Sequence, residues 1–266
     1  MYAKKIAVSD SYARIDGMVL QPGLQVTSRE IAKMIDHSLL RPDMTRQEVI
    51  EGCMLAKEFN CATVCVKPCD VEVARAVLSG SEVLVTTVIG FPHGCCLTGI
   101  KVLETEIAIV QGCKEVDMVL NIGRLKSGDY DLVESDIRDV CDAAHRHGVI
   151  VKVILENYYL TDDEIEKACR ICERAGADFV KTSTGYAKGG ATIHDLIIMR
   201  STCSDKVRVK AAGGVRTLDG ALAVRAVGTE RFGATATRVI IEEARKREMD
   251  GNLNIPDTIA ELNSGY

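Results

Sequence analysis

Hydrophobic and polar positions along the chain alternate between two periods. Short apolar, β-branched runs are separated by longer stretches whose apolar residues recur at helical spacing, the sign of parallel βαβ units. Eight such runs occur. The first four are K-M-I-D-H-S-L-L near 33–40, A-T-V-C-V-K near 62–67, E-V-L-V-T-T-V-I-G near 82–90 and E-V-D-M-V-L-N near 115–121. The others are V-I-V-K-V-I-L-E near 149–156, D-F-V-K-T-S near 178–183, K-V-R-V-K-A-A near 206–212 and R-F-G-A-T near 231–235. Helix starts lie between them: Thr45 with Glu48 and Thr161 with Glu164 have capping-box spacing, and Thr217 has Asp219 close behind. Strict alternation of eight strands and eight helices predicts an α/β fold, a (β/α)8 TIM barrel. An open doubly wound sheet is the alternative, but its G-x-G-x-x-G signal is absent from the first turn.

Residues 1–30 stand outside the repeat and predict an N-terminal extension, with an extra helix near S-R-E-I-A-K closing the lower end of the barrel. After Lys246 the chain turns polar. The expected organisation is one barrel domain over residues 1–248, extension included, and a mobile C-terminal tail over 249–266.

Alternate residues of a strand face opposite sides of the sheet, so the valines decide which side packs on helices. Val207 and Val209 belong against helices and leave Arg208 and Lys210 facing the interior. By the same parity Lys152, Ile154 and Glu156 point inward, as does Asp117, and Phe179, Lys181 and Ser183 share a face. Met34, Asp36 and Ser38 form one set at the first strand, and Thr63 and Cys65 another at the second. The barrel is thus expected to hold Lys152, Lys181 and Lys210 with Asp36, Asp117 and Glu156, where Val, Ile and Leu are usual. A single lysine at a strand end ordinarily snorkels to water and a single aspartate caps a helix. For the whole set that account fails, because burying several ions costs several kcal/mol each unless they pair. Ionisable groups gathered in a barrel mouth point to a reaction centre.

Composition narrows the partners. The chain has 266 residues, 47% hydrophobic and 27% charged, enough for one large core. A net charge of -5 and a pI near 5.6 provide no basic field for nucleic acid or an anionic membrane. Eleven cysteines, scattered rather than framed, suit a reduced intracellular protein. The N-terminus has no uninterrupted apolar h-region, and no segment approaches the roughly 18 apolar residues of a membrane span. A soluble cytoplasmic protein is expected.

An anion must therefore be held by local geometry. Glycine-bearing loops follow the last three strands: T-S-T-G-Y-A-K-G-G-A-T at 182–192, with Thr184 and Gly185, A-A-G-G-V-R-T at 211–217, with Gly213 and Gly214, and F-G-A-T-A-T at 232–237, with Gly233 and Thr235. Glycine lets backbone N–H groups approach an anion, and loops after strands seven and eight are the usual phosphate site of such barrels. Arg216 or Lys188 can add charge, but the backbone nest is the better candidate. With a reference pKa near 10.4, about one lysine in 2,500 is neutral at pH 7. Partial burial and a second cation lower that pKa, and Lys210 on the strand next to Lys181 is such a cation. A depressed lysine beside carboxylates and a phosphate nest describes a Schiff-base enzyme acting on a phosphorylated carbonyl compound.

I-D-H-S-L-L-R-P, C-V-K-P, E-V-D-M-V-L-N-I-G, V-K-V-I-L-E, F-V-K-T-S-T-G, V-K-A-A-G-G-V-R and R-F-G-A-T, in uninterrupted order over about residues 30–245, together resemble the deoxyribose-phosphate aldolase family of class I aldolases. That resemblance implies reversible cleavage of 2-deoxy-D-ribose 5-phosphate to acetaldehyde and D-glyceraldehyde 3-phosphate, with no metal or other cofactor. It implies Lys181 as the Schiff-base lysine, Lys210 as its pKa-lowering partner and Asp117 as the proton shuttle. Asp36 and Ser38 match positions near the lysines and substrate hydroxyls, where the family more often has threonine in place of Ser38. Cys65 lies near the pocket, although a small buried apolar side chain explains it as well. The departure is R-F-G-A-T-A-T: the family commonly has two serines here, whereas Ala234, Thr235 and Ala236 offer one hydroxyl. Phosphate is then expected to rest more on backbone. The resemblance also raises the C-terminal Tyr266 as a proton donor, and a homo-oligomer, dimer or tetramer, as the assembly. Two rivals stand beside it: another Schiff-base or metal-dependent barrel enzyme, and a silent barrel that binds a sugar phosphate. His145 and His147 precede strand five, at the end away from the expected site, which weakens the metal version.

Overall fold

Each of the eight apolar runs forms a strand, and the strands pair in chain order, all parallel, until the last pairs with the first. They are β1 (Ile35–Leu39), β2 (Thr63–Val66), β3 (Leu84–Ile89), β4 (Glu115–Val119), β5 (Ile150–Ile154), β6 (Phe179–Lys181), β7 (Arg208–Ala212) and β8 (Arg231–Ala234). The coordinates are a computed structural model that describes residues 6–7, 22–259 and 262. The closed barrel is the expected (β/α)8 architecture.

Helices cover its outside: α1 (Ser28–Ala32), α2 (Arg46–Glu58), α3 (Val71–Val77), α4 (Thr98–Gln111) and α5 (Ile122–Lys126), then α6 (Tyr130–His145), α7 (Asp162–Ala175), α8 (Ile193–Thr202), α9 (Leu218–Ala226) and α10 (Thr237–Met249). Thr45 and Thr161 close full capping boxes with Glu48 and Glu164, and Thr217 accepts from the Gly220 N–H. The core is the layer between strands and helices. Val116, Met118, Val151, Val153, Val180 and Val209 face outward into it and meet Val133, Ile137 and Val140 of α6 and their equivalents. Full burial of such side chains is worth roughly 1.5–3 kcal/mol each, which fixes strand parity and sends the charged alternates inward.

Two expectations change. Met34 lies in the turn before β1, its sulfur 3.6 Å from Arg225 of α9, so it is not part of the inward set of Asp36 and Ser38. The polar segment after 249 is packed through residue 259: Leu253, Ile255 and Ile259 are buried, and Leu253 and Ile255 exchange backbone hydrogen bonds with Gly23, Leu24 and Val26. Thr258–Ile259 pairs antiparallel with Ile6–Ala7. Alternate apolar residues give this stretch a strand-like side to bury despite its polar composition. The expected extra helix is α1, set against α9 and α10 through Glu30–Arg225 and the Ser28 N–H on Glu248.

The capping box of α7 generates a test of local stability. Thr161→Ala removes the acceptor for the Glu164 N–H and should cost about 1 kcal/mol. The measurement is a lower denaturant midpoint at unchanged m-value.

Candidate active site

Strand register places the inward charges. Lys181 stands opposite Lys210 across β6–β7, and Asp117 opposite Lys152 across β4–β5. The Asp117 carboxylate gathers all three lysines: its Oδ1 accepts from Lys152 Nζ at 2.8 Å, and its Oδ2 from Lys181 Nζ at 2.7 Å and Lys210 Nζ at 2.8 Å. Lys152 also pairs with Glu115 at 2.6 Å, and Lys210 with Asp36. Arg231 closes the lower layer, reaching Asp36 at 2.5 Å and Glu115 at 3.0 Å. Asp36, Glu115, Asp117 and Lys152 are completely buried, and Lys181 is 3% exposed.

The linked cluster holds four cations, Lys152, Lys181, Lys210 and Arg231, against three carboxylates, Asp36, Glu115 and Asp117. An uncompensated charge in a buried site is costly and is relieved by losing a proton. Lys181 has the weakest hold on its proton, because Asp117 is its one carboxylate partner among the described residues, whereas Lys152 and Lys210 each pair with more than one. Burial accordingly pulls the Lys181 pKa down; Asp117 works against it, but burial together with the smaller repulsion from Lys210 prevails. Lys152 and Lys210 go the other way: burial disfavours their charge, but their carboxylates outweigh it and raise both. Burial likewise works to raise Asp117, and the three lysines overcome it and hold the carboxyl well below its usual range.

Above Lys181 and Lys210 opens a cavity of about 140 Å³. Ser38, Cys65, Thr184, Gly185, Gly213, Gly214, Gly233 and Thr235 all border it, as does Arg216. Asp36 lies beneath, engaged by Lys210 and Arg231. Gly213 and Gly214 have φ of +78° and +94°, a backbone that turns the loop tightly. Gly190 packs so close that a Cβ there would lie 2.7 Å from the Gly213 carbonyl carbon. The three loops thereby bring peptide groups together at one side of the cavity. α10 begins there behind Ala236, which provides no side-chain cap, whereas α8 and α9 are capped by Thr192 and Thr217.

Other predicted residues fall differently. Glu156 does not join the ion cluster: with φ of +57° it turns to the loop after β6 and accepts from the Thr184 N–H at 3.3 Å and from its hydroxyl. Burial raises its pKa, against the Thr184 hydrogen bonds. Burial pushes the Cys65 thiol up to about 11, so it remains a protonated, small wall residue. Tyr266 is outside the described residues. Sequence parity missed Glu115 and Arg231, although each is two residues before an inward position, Asp117 and Gly233. His145 is hydrogen-bonded to Asp178 at the opposite end, and no group of three or more His, Cys, Asp or Glu among the described residues is disposed to hold a metal. Cys169 and Cys172, spaced C-x-x-C, are buried in the core with thiols raised well above their usual range.

The chain has extensive relatives. Residues 30–242 match the DeoC/LacD family aldolase profile. It is 50% identical over 220 residues to the deoxyribose-phosphate aldolase of Thermoanaerobacter sp. strain X514, covering 82% of this chain and 99% of that protein. Among solved structures, a presumed deoxyribose-phosphate aldolase from Coccidioides immitis superposes with a TM-score of 0.81 at 40% identity, covering 90% of this chain and 95% of that one. The deoxyribose phosphate aldolase of Aeropyrum pernix, described as tetrameric, follows with a TM-score of 0.76 at 26% identity and coverages of 89% and 95%.

The back of the site carries its own pH signature. His37 points outward from β1, its Nδ1 2.8 Å from the hydroxyl of Thr237 at the start of α10, and burial lowers its pKa to about 4. An unfolded imidazole titrates near 6.5, so between those values the unfolded chain binds more protons and stability falls as pH drops. This contribution is complete above pH 6.5 and amounts to roughly 3 kcal/mol at most; what Asp36 and Asp117 contribute is lost only at lower pH, because their pKa values are depressed. In His37→Gln the stability curve, measured by denaturant titration from pH 7 to 4, should be flatter than in the native protein.

Proposed function

The chain belongs to the DeoC/LacD family of aldolases, and from that premise we propose that it cleaves 2-deoxy-D-ribose 5-phosphate reversibly to acetaldehyde and D-glyceraldehyde 3-phosphate through a Schiff base on Lys181. The observation that carries the assignment of the lysine is the shared Asp117 oxygen: Lys181 and Lys210 compete for it at 2.7 and 2.8 Å, and the cluster has one cation too many. The neutral Lys181 amine attacks C1 of the open-chain aldehyde, and loss of water from the carbinolamine leaves a protonated imine. As the C2–C3 bond breaks, its electron pair flows into the imine to form an enamine, while the C3 hydroxyl gives up its proton and becomes the aldehyde of glyceraldehyde 3-phosphate. Protonation at C2 and hydrolysis then release acetaldehyde and restore the amine.

Asp117 is suited to carry these protons because its basicity is tied to Lys181. With Lys181 charged, three ammonium groups hold the carboxylate strongly acidic. When the amine is neutral one of those charges is gone, and the carboxylate becomes a better base at the step that needs one. Lys210 keeps its proton and maintains the repulsion. The phosphate is assigned to Gly213, Gly214, Gly233 and Thr235, where backbone N–H groups and the uncapped start of α10 favour an anion. Ser38 is assigned to the substrate hydroxyls and Thr184 and Gly185 to the loop beside the imine.

We also propose that the chain self-associates, in keeping with the tetramer described for the Aeropyrum pernix relative. No helix among the described residues is long and apolar enough to cross a membrane, and all eleven cysteines are free, which supports work in a reducing compartment such as the cytoplasm.

Borohydride reduction in the presence of acetaldehyde or deoxyribose 5-phosphate, followed by peptide mass mapping, should place the adduct on Lys181. Absence of that adduct rejects the Schiff base, with sugar-phosphate binding alone pointing to a silent barrel; trapping by a different carbonyl donor keeps the mechanism and changes the substrate. Imine formation should accelerate as pH rises through a Lys181 pKa below the ordinary lysine value. Lys210→Met removes a repelling charge and raises that pKa, which makes the neutral amine scarcer and should slow trapping at pH 7 by about tenfold.

A further inference from the structure

Among the described residues, Asn60 and Glu156 are the two non-glycines with positive φ. Asparagine visits that backbone readily, whereas a glutamate at φ +57° and ψ +63° is held there against its own preference. Surrounding contacts must impose such a conformation, and it gathers at functional sites. At Glu156 those contacts are the Leu155 N–H on the Lys181 carbonyl and the Asn157 N–H on the Thr182 carbonyl, both at 2.9 Å. The Asn157 amide is fastened in turn to Asp195 of α8 at 3.2 Å. The left-handed turn between them carries the Glu156 side chain out of the ion cluster and onto Thr184. Both carboxyl oxygens lie 3.3 Å from the Thr184 backbone nitrogen, and one accepts from its hydroxyl.

Thr184 passes this constraint on. Its Oγ1 accepts from the Tyr186 N–H at 3.0 Å, and the Tyr186 hydroxyl donates to the Leu40 carbonyl at 2.7 Å while its ring meets Phe91 edge to face at 5.4 Å. Leu40 follows β1 and Phe91 follows β3, on the far side of the ring of strands from β6. The segment is thus a strap across the barrel mouth, and Leu40, Thr184 and Gly185 all border the cavity. We propose that Glu156 is a positioning residue, which fixes this strap through Thr184 and so sets how tightly the sugar phosphate is held. The inference rests on the reaction proposed above and adds to it a residue apart from the reacting atoms. Gly185, at φ +98°, leaves the strap free to wander unless it is anchored, and a loop ordered in advance loses less freedom when a ligand binds. A carboxyl group suits the anchor because both of its oxygens can face the Thr184 N–H and hydroxyl. An amide of the same shape sets its NH₂ against one of those donors. Lys181 does not depend on the strap for its ion pair, which is made with Asp117 inside the barrel.

Steady-state kinetics and borohydride trapping on the full chain test this together. Glu156→Gln should raise KM for deoxyribose 5-phosphate about tenfold while kcat changes by no more than about twofold. Trapping of acetaldehyde, which is too small to need the strap, should still label Lys181 at close to the native rate. Thr184→Val should raise KM by itself, and adding Glu156→Gln should raise it little further, because the two residues act through one contact. If Glu156→Gln depresses kcat and acetaldehyde trapping as strongly as it raises KM, the residue serves the general fold of the site and the positioning role is overturned. Effects of the two substitutions that multiply overturn the route through Thr184. A native protein that forms no adduct overturns the reaction and this inference with it, whereas a native protein that reacts while Glu156→Gln keeps its KM overturns this inference alone.

Discussion

One carboxylate organises the interior of this barrel. Asp117 accepts from three lysines at 2.7–2.8 Å, and the surrounding network has four cations for three anions. Such a cluster is poor for stability, since paired ions in a core break even at best against apolar packing. Its consequence is chemical: the surplus falls on Lys181, the lysine with the fewest carboxylate partners, and burial weakens its hold on the proton, with Lys210 adding repulsion.

The barrel divides this network by depth. Low in the interior, Arg231 and Lys152 both pair with Glu115, and against the effect of burial their carboxylate partners raise the pKa of each cation. Higher up, Lys181 and Lys210 share one oxygen and border the open cavity. Strand tilt and stagger bring the glycine loops after β6, β7 and β8 to the same mouth. The proposed reactive amine and the peptide groups proposed to hold the phosphate thus come from neighbouring strands held by a shared register, which is a stiffer arrangement than long loops would provide.

Much of this was readable in one dimension. Strand runs, capping boxes and the inward set Asp36, Asp117, Lys152, Lys181 and Lys210 follow from period-two alternation, because the apolar helix-facing side leaves no choice about where the charged side goes. Glu115 and Arg231 obey the same parity but open their strands, where a charged residue reads as the end of a turn. Glu156 has the inward parity yet leaves the cluster, because the chain turns through a left-handed backbone at that residue. The segment after 249 looks like a solvated tail by composition, and only its pairing with residues 23–26 reveals what Leu253 and Ile255 are for.

By itself the sequence determined the barrel, the parity of its charged strand positions and the glycine loops that border the cavity, since all three depend on local period and on glycine. Which lysine holds its proton least tightly was decided by tertiary structure. Three lysines point inward by identical rules, and they differ only in how many carboxylates reach each one. That number is set by the register between strands far apart in the chain, and a pKa responds to distance in space rather than to position in sequence.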